Sequence, residues 1–335
     1  MNSAAEFFGI LDERARAAGQ NEALWISVQG YVVRLTFCGI EVPEAMRINL
    51  GYLLVEPQER ADEEVLVWED DLDELMGQSM VPEEERYIHY HQCDEWHVLF
   101  PGVVRRMGVR DNVGRRTWVC FQQGGGLPEA YVNKPFASEL QWWLWDDYLL
   151  LHGAAVGAGG HGALITAPSG KGKSTLALAC LVAGMDYVAE DYVLVNRRGP
   201  AVAHPLLNTA YLTPATLDML PELKETILLY VDWRNKFLVD LSRYGTSFKD
   251  ELPLDAMIYP VVSDADEPSI VPARSVKPFI AALTTTAKQI KSRADFSESF
   301  KALFLRMKTI PAYEMRLTHD LRANARALEE FLRGL

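Results

Sequence analysis

The stretch that most constrains this chain is residues 163–196, ALITAPSGKGKSTLALACLVAGMDYVAEDYVLVN. It opens on a short apolar run of strand type, Ala163-Leu164-Ile165-Thr166. In residues 167–174, Gly170 and Gly172 alternate with Lys171 and Lys173, and Ala167 stands where such loops usually carry a first glycine. Residues 175–183 are apolar and rich in Ala and Leu, which predicts a buried helix that Gly184 is placed to end. A second apolar run then meets an acidic pair, Glu190-Asp191. Strand, glycine loop and helix in this order aim backbone N–H groups and the positive end of a helix at one point. Glycine permits the backbone shapes that this requires. The expected ligand is ATP or another nucleoside triphosphate, held by Ser169, Gly170, Lys171, Gly172, Lys173, Ser174 and Thr175. In that pattern Lys173 reaches the terminal phosphates and the Ser174 hydroxyl ligates Mg²⁺.

A length of 335 residues suits two domains, with one large domain as the alternative. Nearly half the residues are apolar, so a sizeable core can form, yet no run approaches the ~20 apolar residues of a membrane span. The first twenty residues carry Glu6, Asp12 and Glu13 without a basic start, so they do not read as a secretory signal. They predict an amphipathic helix with Phe7, Phe8, Ile10 and Leu11 inward. Cys38, Cys93, Cys120 and Cys180 lack paired spacing, which points to a reduced, cytoplasmic protein. A net charge of −13 argues against a general nucleic-acid surface.

Ahead of the glycine loop, residues 25–37 read as two strands meeting at Gln29-Gly30. Residues 56–85 are heavily acidic and read as a solvated face and loops, with a docking surface for a basic partner as the alternative. His89, His91 and Cys93 alternate and His97 follows. On a strand the first three share one face, a zinc-like arrangement, but Tyr87, Tyr90 and Trp96 equally suit an ordinary half-buried strand. Residues 118–122 read as a strand and 124–126 as a turn. Residues 134–148 predict a helix opened by Pro135 and Ser138, its stripe of Leu140, Trp143, Leu144 and Asp147 serving packing rather than base stacking. A domain boundary is expected there, giving domains 1–135 and 136–335. Residues 149–156 read as one strand running into a glycine-rich hairpin turn at 157–162.

His152-Gly153, a hairpin, the loop Ala167-Pro168-Ser169-Gly170-Lys171-Gly172-Lys173-Ser174-Thr175, a helix and Glu190-Asp191 closing a strand together resemble HPr kinase/phosphorylase. That bacterial enzyme phosphorylates a serine on a small carrier protein. The chain is more similar still to the short relatives of that enzyme, including kinases of lasso-peptide clusters, which usually read Gly-Pro-Ser-Gly-x-Gly-Lys-Ser-Thr. The motifs cover residues 149–196. A looser likeness continues through strand-like 257–262, helix-like 275–283 and the ending 310–317. The resemblance implies an α/β catalytic domain of the HPr kinase / PEP carboxykinase type, a mixed sheet with flanking helices. A smaller α+β N-terminal domain would precede it, its role unknown and substrate recognition one option.

Carried over by position, the resemblance gives His152 a place near the acceptor, and Lys173 and Ser174 the phosphate and Mg²⁺ contacts. It makes Glu190 the general base, where the family has Asp, and Asp191 a Mg²⁺ ligand or a sharer of the proton. The longer arginine–glycine signature of HPr kinase has no convincing counterpart between Asn196 and Leu220. Its absence weighs against phosphorylase activity and against HPr as substrate. The resemblance thus implies a Mg²⁺- and ATP-dependent kinase acting on a serine-type hydroxyl of a peptide or protein, with a small-molecule hydroxyl as rival acceptor. A homo-oligomer is a further implication, since HPr kinases are hexamers.

Elementary chemistry points the same way. A carboxylate pair beside a Mg-nucleotide can hold metal and accept a hydroxyl proton. A nucleotide-sensing module without phosphoryl transfer is the alternative from another class. Arg234 and Lys236 read equally as contacts to a phosphate or acidic substrate and as solvated charges, whereas Arg274 and Lys277 read as solvated. Residues 300–305 and 319–332 predict amphipathic helices.

Overall fold

Gln29 and Gly30 turn the chain between β1 (Glu22–Val28) and β2 (Tyr31–Cys38), at φ 52° and 84°. Two left-handed residues make the turn whose twist matches antiparallel strands, and Val28 pairs with Tyr31 as that requires. This computed structural model describes residues 2–19, 22–83, 90–100, 105–168, 170–231, 235–244, 248–289 and 296–335. They fall into two compact units, Met1–Trp143 and Leu144–Lys291 with Phe296–Leu335.

The first unit continues with β3 (Glu63–Asp70), β4 (Tyr90–Gln92), β5 (Trp96–Leu99), β6 (Arg106–Asp111) and β7 (Arg116–Gln122). They form one mixed sheet of order β1-β2-β3-β7-β6-β5-β4, with parallel pairings at β2/β3 and β3/β7. Helix α1 (Ala4–Ala17) starts in a capping box between Ser3 and Glu6 and buries Phe7, Leu11 and Ala15. Phe8 and Ile10, expected inward, are only half-buried at the rim of that core. Three short helices complete the unit's main elements: α2 (Glu44–Leu50), α3 (Leu72–Gly77) and α4 (Glu129–Val132).

Two expectations for this unit change. Glu63 is not part of a solvated acidic face. It is fully buried, with its carboxylate accepting from Arg110 Nε (3.1 Å) and Nη2 (2.9 Å), Thr117 Oγ1 (2.6 Å) and Tyr31 Oη (3.0 Å). The helix expected over 134–148 is α5 (Ala137–Leu144). All but its last residue lie with the first unit, where Glu139 pairs with Arg106, the Trp142 carbonyl accepts from Arg110, and Trp143 Nε1 donates to Thr117 Oγ1.

In the second unit, residues 148–158 do not form one strand. The chain breaks at Gly153 into β8 (Tyr148–His152) and β9 (Ala154–Ala158). Glycine inside a strand pattern commonly marks such a break. β9 turns back through Gly159 and Gly160, at φ 65° and 89°, into β10 (His161–Ile165). The hairpin is as expected, but its turn is two residues long, and Gly157 and Gly162 are paired strand residues. Then come α6 (Lys173–Val182), β11 (Asp186–Ala189), β12 (Tyr192–Asn196), β13 (Val202–Pro205) and β14 (Thr209–Leu212). Next follow α7 (Pro214–Met219), β15 (Ile227–Val231), β16 (Lys236–Asp240), β17 (Leu252–Val262) and β18 (Ser269–Pro272). The chain ends with α8 (Lys277–Gln289), α9 (Phe296–Met307), β19 (Ala312–Leu317) and α10 (Leu321–Arg333).

The main sheet runs β11-β9-β10-β17-β13-β12-β8, and β19 joins β17 with β18 beside it. β10, β17 and β19 are parallel, so their carboxyl ends open on the same side. Side chains alternate across the sheet. Ala163 and Ile165 pack toward α6 and α10, through Leu176, Cys180 and Leu328, whereas Leu164 packs toward α8 and α9, through Leu283 and Met307. Helices on both faces explain why these strands read as nearly continuous apolar runs. β14, β16 and β15 make a separate three-stranded sheet. Among the described residues no helix is long and apolar enough to cross a membrane.

Candidate functional site

The glycine loop occupies residues 166–172, between β10 and α6. Its first residue is still tied to the sheet, Thr166 N–H donating to Ile258 O at 3.0 Å. Gly170 and Gly172 lie at φ 78° and 86°, in the left-handed region that disfavours side chains. Gly172 is the N-cap of α6, and a Cβ there would come 3.1 Å from Leu317 Cδ1 and 3.8 Å from Val262 Cγ2. Leu317 and Val262 end β19 and β17, so the loop is seated at the carboxyl ends of these parallel strands, where ligands of open α/β sheets bind. Lys173 is buried, Ser174 and Thr175 are half-buried, and Gly170 and Lys171 are exposed. The leading N–H groups of α6 have no acceptor within the helix, and its dipole is positive at this end. Ser169 lies outside the described residues.

The acidic pair reaches the same edge through the sheet register. Ala189, the last residue of β11, pairs with Ala155 of β9, which pairs with Leu164 of β10. Two strand spacings, about 10 Å, thus separate the ends of β11 and β10. Gly153 closes the gap. Its N–H donates to Asp191 O at 3.2 Å, and a Cβ on it would lie 3.1 Å from Ile165 O. One glycine therefore bonds the second acid and leaves no room for a side chain beside the residue before the loop.

Asp191 stands at φ 67°, uncommon for a residue other than glycine, and Tyr192 N–H bonds Glu190 O across it at 2.8 Å. An i→i+2 bond over a positive-φ residue is a strained γ-turn, and strain of this kind concentrates at functional sites. The turn sends the two acids into different surroundings. Glu190 is buried, whereas the Asp191 side chain is 31% exposed. Asp191 Oδ1 lies 3.0 Å from Nε2 of His152, itself buried at the end of β8. Tyr187, on β11 before the pair, has its hydroxyl pushed well above the usual phenol range by burial and, secondarily, by the negative charges of Glu190 and Asp191. It therefore stays a neutral phenol beside the acids.

His152, Gly172, Lys173, Ser174, Glu190 and Asp191 thus converge on one end of one sheet. Lys236 does not join them through that sheet; it opens β16 of the three-stranded sheet and pairs with Val231 of β15. Arg234 lies outside the described residues, as does His89. In the first unit His97 stacks on Trp142 at 5.6 Å, His91 opposes Val98 across β4/β5, and Cys93 is exposed. Among the described residues no three His, Cys, Asp or Glu side chains gather in a metal-holding group. Ser174 and Asp191 offer a hydroxyl and a carboxylate, the hard oxygen donors that suit Mg²⁺, which commonly takes one or two protein ligands together with substrate phosphates. Gly153 appeared in the sequence only as part of a His-Gly pair. Its bridging position depends on pairings between strands far apart in the chain.

No family model matches this chain, and no curated protein does. The solved structure of the Hpr(Ser) kinase/phosphatase from Coxiella burnetii is similar over 56% of this chain and 89% of its own, with 15% identity and a TM-score of 0.31. A likeness of that extent does not assign a family or an activity.

Proposed function

We propose that the chain is an ATP- and Mg²⁺-dependent kinase that transfers the terminal phosphoryl group to a serine-type hydroxyl of a peptide or protein. The observation that supports this reading is the position of Gly153, which bonds Asp191 O and has no room for a side chain beside Ile165 O, the residue before the glycine loop. Phosphoryl transfer needs positioning and charge neutralisation more than covalent chemistry. The loop amides, the α6 N-terminus and Lys173 grip the phosphates. Glu190 takes the proton of the incoming hydroxyl, and the His152–Asp191 pair holds the acceptor side of the site in place. Ser174 and Asp191 would hold Mg²⁺, whose positive charge would offset that of the phosphates.

Replacing Glu190 by Gln tests the assignment. Calorimetric titration with MgATP should give wild-type affinity, while transfer of labelled γ-phosphate to an array of serine peptides should fall by a factor on the order of 100. Unchanged transfer would remove Glu190 as base. Tight MgATP binding by the wild-type chain, with no transfer to any hydroxyl or to water, would instead identify a nucleotide sensor.

A further inference from the structure

Three consecutive threonines on α8, Thr284, Thr285 and Thr286, use their hydroxyls differently. Thr284 and Thr285 bond back to their own helix, donating to Ile280 O at 2.7 Å and Ala281 O at 2.6 Å. That is the usual fate of threonine inside a helix. Thr286 Oγ1 instead accepts the backbone N–H of His152 at 3.0 Å, and both residues are buried.

Among the described residues, β8 lies at the edge of its sheet and pairs with β12 alone. N–H groups on the open side of an edge strand have no strand to bond, and a buried one needs another acceptor. Thr286 is that acceptor at the last residue of β8, where the chain is about to break at Gly153. The bond anchors the main chain of His152 from one side while Asp191 holds its ring from the other. It adds to the pairing of His152 with Tyr192 on β12 and to the bond from Gly153 N–H to Asp191 O.

We infer that Thr286 is a positioning residue that sets the His152 imidazole against Asp191 by fixing the end of β8. Its structural half stands alone; its consequence for turnover rests on the kinase reading above. The experiment uses the full chain with Thr286→Val, which keeps the shape and removes the acceptor, and Thr286→Ser, which keeps the acceptor. In the wild type the His152 amide should exchange with solvent at least ~100-fold more slowly than an open edge amide. Thr286→Val should lose that protection, and its His152 imidazole ¹⁵N shifts should move toward those of Asp191→Asn. Its hydrolysis of MgATP should fall about 10-fold, with MgATP affinity held within about 2-fold, as expected of a misplaced group that does not bind nucleotide. Thr286→Ser should restore all of these. Fast exchange of the wild-type His152 amide, or wild-type imidazole shifts in Thr286→Val, would overturn the inference. Should Thr286→Val fail to fold, the wild-type exchange rate still decides. Absence of MgATP turnover in the wild type would remove the kinase reading, leaving the imidazole shifts to judge the link.

Discussion

His152 and Asp191 meet across the β8/β12 junction, Nε2 to Oδ1 at 3.0 Å. The register that pairs His152 with Tyr192 puts Asp191 one residue beyond the ladder, where its left-handed backbone swings the carboxylate to the ring. The contact thus depends on an unusual φ. Asn tolerates left-handed backbone nearly as well as Asp, whereas Ala does not. Asp191→Asn should therefore keep wild-type stability within about 0.5 kcal/mol, while Asp191→Ala should lose about 1 kcal/mol. Both should lower MgATP-dependent transfer by a factor on the order of 100, since both remove the carboxylate. Thermal denaturation beside a turnover assay checks this. Equal destabilisation by Asn and Ala would discard the backbone account.

The two glycines of the loop should respond differently to alanine. At Gly170, with φ 78°, a Cβ would meet nothing within 4 Å, so only the left-handed conformation is costly. At Gly172, with φ 86°, the same Cβ would also crowd Leu317 at 3.1 Å. Each substitution should cost about 1–2 kcal/mol through the backbone, with Gly172→Ala the larger loss. Both should weaken MgATP binding at least about 10-fold, because the amides no longer turn onto the phosphates. Lys173→Ala should weaken it as well while leaving the melting temperature near wild type. Undiminished affinity of the Lys173 variant on calorimetric titration would count against the loop as a nucleotide site.

What could be read from the sequence was mostly local. Gln29-Gly30 announced a two-residue hairpin because turn chemistry is confined to the turn. The strand, glycine loop and helix of 163–182 were legible because each element carries its own pattern. Glu190 and Asp191 stood out as acids at the end of an apolar run, but their nearness to the loop depends on β9 lying between β11 and β10, which no local pattern encodes. The break at Gly153 was hidden because Leu149–Leu151 and Ala154–Ala158 are apolar on both sides of it, as buried strands are. Glu63 was misjudged for a related reason. Its partners Arg110 and Thr117 lie far along the chain, so an acid in an acidic run looked solvated. Thr286 is one of three adjacent threonines, and its burial and its contact with His152, neither visible in the sequence, separate it from the other two.

The Glu63 cluster gives a stability prediction independent of the nucleotide site. Both carboxylate oxygens are satisfied, and Arg110 also donates to the Trp142 carbonyl. Removing one charge of a buried pair strands the other, so Glu63→Gln should cost about 3 kcal/mol. Glu63→Leu combined with Arg110→Met should cost less than the sum of the two single changes, since no charge is left alone. Urea unfolding of the four proteins measures the coupling. Strict additivity would show that the pair does not act as a unit. Calorimetry with MgATP on Glu63→Gln, below its melting temperature, should show unchanged affinity, since Glu63 has no part in the glycine loop.

The stability of the first unit should also depend on pH through His97. Its imidazole is held down to about 4 by burial, with the nearby Arg110 charge adding to the effect. The unfolded chain returns it to the ordinary value of 6.5. Between these values the unfolded state binds the extra proton and the folded state does not, so stability rises with pH there. The contribution is fully present above pH 6.5 and is lost as pH falls toward 4, with a ceiling of about 3 kcal/mol that the ring's partial exposure reduces. His97→Phe keeps an aromatic ring on Trp142, where His97 stacks at 5.6 Å with planes 12° apart, and removes the titrating group. The variant should therefore show a smaller drop in unfolding free energy between pH 7 and pH 5 than the wild type. Equal drops in the two proteins would mean that His97 is already free to take up a proton in the folded state.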